Sequence, residues 1–110
     1  MIKIRGLSCI DAHELVLSKP GALLLDVRSS MEFLFVGHPI DAIHIPWIDE
    51  PHWMENEEFT DDVTRLIEAR DLSKHSATLV LLCRSGKRSD VAGKHLLQVV
   101  PYRLLLRALL

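Results

Sequence analysis

Two runs of the chain are apolar almost without interruption, "ALLLDV" at 22–27 and "ATLVLLC" at 77–83, and each then gives way to polar residues. An amphipathic helix or a half-buried strand would carry polar residues at its own period, and neither run does. Such runs fit strands of a parallel sheet covered on two faces. The segments around them read as helices. In "SCIDAHELVLSKPG", Ser8 is placed as an N-cap, Ile10, Leu15 and Val16 fall on one side, and Pro20-Gly21 is a stop signal. "EFTDDVTRLIEARD" spaces Phe59, Val63, Leu66 and Ile67 helically, with acids in the first turns and Arg65 and Arg70 later, the polarity a helix dipole favours. "SDVAGKHLLQVV" predicts a third helix with Val91, His95 and Leu96 in line, and "MIKIR" a short edge strand. Alternating strands and helices predict an α/β domain: a mostly parallel central sheet flanked by helices on both faces. At 110 residues, with no repeat or linker, the chain is expected to be one domain over 1–110.

Charge narrows the function. Arg84, Lys87 and Arg88 stand within five positions, and the rest of the chain carries 10 basic against 15 acidic residues. A local cation cluster on an otherwise acidic chain points to a small anionic ligand. A nucleic-acid binder would show an extended basic face, so no nucleic-acid partner is expected. "MIKIRGLSCIDAHELVL" has polar residues every few positions, so no secretory h-region forms, and no run approaches the roughly 20 apolar residues of a membrane helix. Two cysteines, Cys9 and Cys83, do not make a disulfide framework, and a reducing cytoplasm is the expected setting.

The cations belong to "LVLLCRSGKRSD", which sets Cys83 at the carboxyl end of a predicted strand, in the loop entering a helix. Ligands of open α/β sheets bind at this position, and the loop amides and the helix's positive end are donors an anion can satisfy. The thiolate is the nucleophilic form of cysteine, and a helix N-terminus with nearby Arg84, Lys87 and Arg88 favours it. Gly86 lets the loop curl with N–H groups inward, and Ser85 and Ser89 offer hydroxyls. The competing reading is a buried structural cysteine beside a solvated basic turn. The concentration of these features in one loop favours the reactive thiolate.

"LLLDVRSSMEFLFVGHPIDAIHIPW", followed by "VLLCRSGKRS", resembles the rhodanese (thiosulfate sulfurtransferase) family, single-domain type, over residues 1 to about 98. The matching pieces are Asp26-Val27-Arg28, Glu32-Phe33, Gly37-His38, Ala42-Ile43-His44-Ile45-Pro46 and the loop from Cys83 to Ser89. The resemblance implies that Cys83 takes the outer sulfur from a small anionic donor such as thiosulfate, or from a persulfide. It then passes the sulfur to cyanide or a thiol, a protein thiol included, with no cofactor. Arg84 and Lys87 are then candidates for substrate charge recognition, and Ser85, Gly86 and Ser89 for lining the loop. Arg88 either joins them or folds back to brace the loop. Asp26 and Arg28 are expected to support it structurally. Phosphatase relatives carry Cys-x5-Arg, whereas Cys83 and Arg88 make Cys-x4-Arg, a tighter ring suited to a sulfur atom. A non-enzymatic binding or redox-sensing module stays open, and so does phosphatase or arsenate reductase chemistry.

The remaining signals are blander. Histidines 13, 38, 44, 52, 75 and 95 lack ligand spacing, so no metal site is expected. Trp47 and Trp53 are expected on the core or the pocket rim. "DEPHWMENEEFTDD" reads as a solvated acidic segment, with docking of a basic partner as the alternative. Cys9 is expected to be buried and inert, a resolving thiol being the alternative. Two departures from the family pattern stand out. "GHPIDA" has its proline early and Asp41 where glycine is common, which puts the turn in question. The tail "VVPYRLLLRALL" lacks the expected Gly-Gly turn, leaving a strand, a short helix or a homodimer surface as its readings.

Overall fold

The computed structural model describes residues 5–72, 77–84, 87–99 and 104–109. In chain order these form β1 (Arg5–Leu7), α1 (Cys9–Ser18), β2 (Ala22–Asp26), a π turn (Glu32–Val36) and β3 (Ile43–His44). A hairpin of β4 (Ile48–Asp49) and β5 (Met54–Glu55) follows, then α2 (Phe59–Ala69), β6 (Thr78–Cys83), α3 (Lys87–Val99) and β7 (Leu104–Leu109). The two apolar runs are the parallel neighbours β2 and β6, with Ala22 opposite Thr78 and Asp26 opposite Leu82. The main sheet runs β1-β7-β6-β2-β3, and its pairings are all parallel.

Strand residues alternate between faces, and both faces of β2 and β6 are covered. Leu23 and Leu25 of β2 and Leu79, Leu81 and Cys83 of β6 share a core with Phe59, Val63 and Ile67 of α2 and Ala92 and Leu96 of α3. Leu24, Val80 and Leu82 point the other way, onto Ala12, Leu15 and Val16 of α1. The unbroken apolar runs thus follow from two-sided burial, and the α/β fold with helices on both faces is the one expected from sequence.

Several local expectations need correction. Ile10 is 72% exposed, because it lies about 140° around the helix from Leu15 and outside the buried stripe. Val91 faces solvent for the same reason, the buried stripe of α3 being Ala92, Gly93 and Leu96. α3 also begins at Lys87 rather than in the following serine segment, so the basic residues form its first turn. Cys9 is exposed, not buried, since it follows the Ser8 cap whose hydroxyl accepts from Asp11 N–H at 3.1 Å. Trp47 is buried edge-on against Phe59, whereas Trp53 is exposed.

The two departures from the family pattern are both accommodated. In the "GHPIDA" turn Ala42 N–H donates to the Pro39 carbonyl at 3.1 Å. Among the described residues only Trp53 and Asp71 are non-glycines at positive φ, so Asp41 needs no glycine-like backbone. The tail supplies β7, inserted between β1 and β6 and paired with both, Leu106 standing opposite Arg5 on one side and Val80 on the other.

One buried group runs against the packing. The hydroxyl of Thr78, at the start of β6, is fully buried without a hydrogen-bond partner. Replacing it by a methyl removes an uncompensated desolvation cost. Thr78→Val should therefore raise the stability in denaturant titration by about 1 kcal/mol with an unchanged m-value.

Candidate active site

The carboxyl ends of parallel strands share one edge, and β2 ends there in Asp26 and β6 in Cys83. Cys83 closes β6 on the α2/α3 face with 0% exposure, and α3 starts four residues later. Ser89 N–H donates to Cys83 Sγ at 3.4 Å, and the Ser89 hydroxyl lies 3.3 Å from the same sulfur. The first N–H groups of a helix have no acceptor within it, so the sulfur takes the place an N-cap oxygen would fill. Negative charge on Sγ is favoured at that end of the helix dipole. Arg84 and Lys87 flank the loop, both exposed. Ser85 and Gly86 lie outside the described residues.

Arg88 bends back from Cys83. Its Nη1 and Nη2 donate to the two carboxylate oxygens of Glu32 at 2.5 and 2.9 Å, a fork-to-fork pair. Sequence left Arg88 either lining the loop or folding back, and its fork here is on Glu32. Glu32 also makes a reciprocal cap with Ser29: Ser29 N–H donates to Glu32 Oε1, and Glu32 N–H to Ser29 Oγ, both at 3.3 Å. Sequence reasoning gave Glu32 no role, although "SSME" is a Ser-x-x-Glu capping box, and that signal would have found it. The Arg88 guanidinium, with help from Ser29, lowers the Glu32 carboxyl from 4.5 to about 2 against the opposing effect of burial.

Asp26 and Arg28 form a buried ion pair where the neighbouring strand β2 ends. Arg28 Nε and Nη2 donate to the Asp26 carboxylate at 2.9 and 2.7 Å, and Arg28 N–H adds a bond at 3.0 Å. Nη2 also reaches the Gly37 carbonyl at 2.6 Å. Gly37 sits at φ 103°, a left-handed backbone that disfavours any side chain, which explains a glycine at this point. His44 Nε2 contacts the Arg28 carbonyl at 2.8 Å. The ring of Phe33 is stacked between His38 and His44, with centroid distances of 3.5 and 4.5 Å. The turn is fixed on its other side by Asp49, whose carboxylate accepts from Ser30 N–H at 2.7 Å and from the Ser30 hydroxyl at 2.5 Å.

The sequence profile of the rhodanese-like domain matches residues 11–107. The chain belongs to the rhodanese-like family. It is 27% identical to an uncharacterized protein of Rickettsia rickettsii, the match covering 89% of this chain and 76% of that protein. An uncharacterized protein of Rickettsia conorii is 26% identical over the same shares. The crystal structure of Rv0390 from M. tuberculosis matches at a TM-score of 0.67 and 26% identity, covering 94% of this chain and 76% of that one. No helix among the described residues is long and apolar enough to cross a membrane.

Two substitutions separate the Asp26–Arg28 pair from the Arg88–Glu32 pair. Arg28→Ala strands the fully buried Asp26 carboxylate, and stability should fall by about 3–5 kcal/mol in denaturant titration. The Glu32 carboxyl titrates lower in the folded chain than unfolded, so its contribution is complete above pH 4.5 and lost as pH falls toward 2. Acid titration followed by circular dichroism should show a shallower loss of stability across that window in Glu32→Gln than in the natural chain.

Proposed function

We propose that this rhodanese-like chain is a sulfurtransferase that carries a sulfane sulfur on Cys83, with thiosulfate as the leading donor. The observation that carries the reading is the Ser89 N–H aimed at Cys83 Sγ where β6 meets α3. The Cys83 thiolate attacks the outer sulfur of thiosulfate; a new S–S bond forms, the old one breaks, and sulfite leaves with the electron pair. The cysteine is now a persulfide whose charge lies toward the helix amides, which are preorganised donors needing no rearrangement. Cyanide or a thiolate then attacks the terminal sulfur and leaves as thiocyanate or a persulfide, returning the Cys83 thiolate. Arg84 and Lys87, both exposed, draw in the dianionic donor. Asp26 and Arg28 support the loop from the end of β2. The cycle needs a reduced thiol, which suits a reducing cytoplasm.

The state of Arg88 supports sulfur over phosphate. A phosphoryl group is recognised by an arginine fork on its oxygens, and both terminal nitrogens of Arg88 are taken by Glu32. One observation favours a second reading, a binding or redox-sensing module without turnover. Cys83 is fully buried, so a donor has to displace a neighbouring group to reach Sγ.

Intact-protein mass after thiosulfate treatment, with thiocyanate release measured in parallel, distinguishes these readings. The expected result is a gain of one sulfur atom, absent in Cys83→Ser, together with cyanide-dependent thiocyanate production over many turnovers. An adduct without turnover favours the module, and no adduct on the natural chain overturns the sulfurtransferase. Cys83-dependent hydrolysis of p-nitrophenyl phosphate would revive the phosphatase.

A further inference from the structure

The outer surface of the π turn, which Glu32 ties to Arg88 of the cysteine loop, is unusually apolar. Leu34, Phe35 and Val36, three consecutive residues of the π turn, are 69%, 78% and 76% exposed, and Trp53 and Met54 of the hairpin loop are exposed as well. Large apolar side chains gathered in this way mark interaction surfaces. Two bonds besides the Asp49–Ser30 contacts make the patch one body with the site. Met31 N–H donates to the Glu50 carboxylate at 3.3 Å, tying hairpin to turn, and Glu32 ties the turn to Arg88 of the cysteine loop. Trp53 is held at φ 53°, where a bulky residue is costly. Strain of this kind is retained where the side chain's placement has a use.

The charge around the patch indicates what fits it. Glu55, Glu57, Glu58 and Asp61 are exposed on the segment that continues from the hairpin into α2, whereas the exposed cations Arg84 and Lys87 belong to the cysteine loop itself. An apolar strip with an acidic border complements an apolar strip with basic neighbours.

We propose that this surface docks the sulfur acceptor: a protein whose reactive cysteine lies beside apolar side chains flanked by Lys or Arg. The proposal rests on the sulfurtransferase reading and names the acceptor class for that site. The acceptor thiolate attacks the terminal sulfur of the Cys83 persulfide, its new S–S bond forms as the persulfide bond breaks, and Cys83 leaves as thiolate. No oxidant or reductant is consumed. Docking raises the local concentration of that thiolate at the loop, an advantage a small free thiol lacks.

The test uses two synthetic cysteine peptides with Phe and Leu beside the cysteine, one flanked by Lys and the other by Glu. Sulfur transfer from thiosulfate-loaded protein should be faster to the Lys-flanked peptide by about tenfold, and the advantage should shrink with added salt. Phe35→Ser with Val36→Ser should reduce kcat/KM for that peptide on the order of tenfold while transfer to cyanide is unchanged. Glu55→Lys with Glu57→Lys should reverse the preference between the peptides. Fluorescence anisotropy of labelled peptides on Cys83→Ser protein reads docking without any chemistry. Equal binding of the two peptides, or indifference to both double substitutions, overturns the proposal even if persulfide forms. Sedimentation showing a dimer that Phe35→Ser with Val36→Ser dissolves assigns the patch to a second copy instead. Absence of a persulfide on the natural chain, with peptide preference intact by anisotropy, fails the chemistry and leaves the docking surface standing.

Discussion

A carboxylate with no solvent exposure is tolerable only beside a cation that donates directly to it, and Asp26 meets that condition through Arg28. The pair sits where β2 ends, so its geometry decides how the chain leaves the sheet. Asp26 cannot turn away without stranding its charge, and Arg28, with 3% exposure, has no other route to solvent. The residual Arg28 donor is then directed at the Gly37 carbonyl, and the Arg28 carbonyl at His44. One buried ion pair thereby fixes both ends of the crossing from β2 to β3, and with it the π turn between them.

The turn transmits that order to the cysteine loop. Ser29 and Glu32 cap its start, Phe33 is clamped between two imidazoles, and Asp49 holds Ser30 from the hairpin. What emerges on the loop side is a Glu32 carboxylate in a fixed position, ready for Arg88. π turns are uncommon and concentrate at functional sites. Here the turn places Glu32 inward toward Arg88 while Leu34, Phe35 and Val36 face outward.

The sheet was legible because its signal is redundant: β2 and β6 are buried on both faces, so all their positions are apolar except Asp26 at the end of β2 and Thr78 at the start of β6. The position of Cys83 was equally legible, since a strand end running into a glycine-containing basic loop follows from chain order. Helix faces were less so. Ile10 and Val91 are apolar residues off the buried stripe, and counting apolar residues without their angular position put them inside. The tail concealed a strand because six residues, "LLLRAL", carry one charge and no turn signal, and only the gap between β1 and β6 gives them a place. The partner of Arg88 could not be read from spacing, for Glu32 lies 56 positions away and only the folded crossover brings it near.

The pairing of Arg88 with Glu32 also bears on how the thiolate is kept reactive. A full cation against the sulfur would stabilise the thiolate strongly, and a strongly stabilised thiolate is a poorer nucleophile. Arg88 directs its fork at the Glu32 carboxylate instead, and Ser89 meets the sulfur through its N–H and its hydroxyl. The other cations of the loop, Arg84 and Lys87, are exposed. In the proposed cycle, drawing in the donor falls to Arg84 and Lys87, and Arg88 serves the shape of the loop instead.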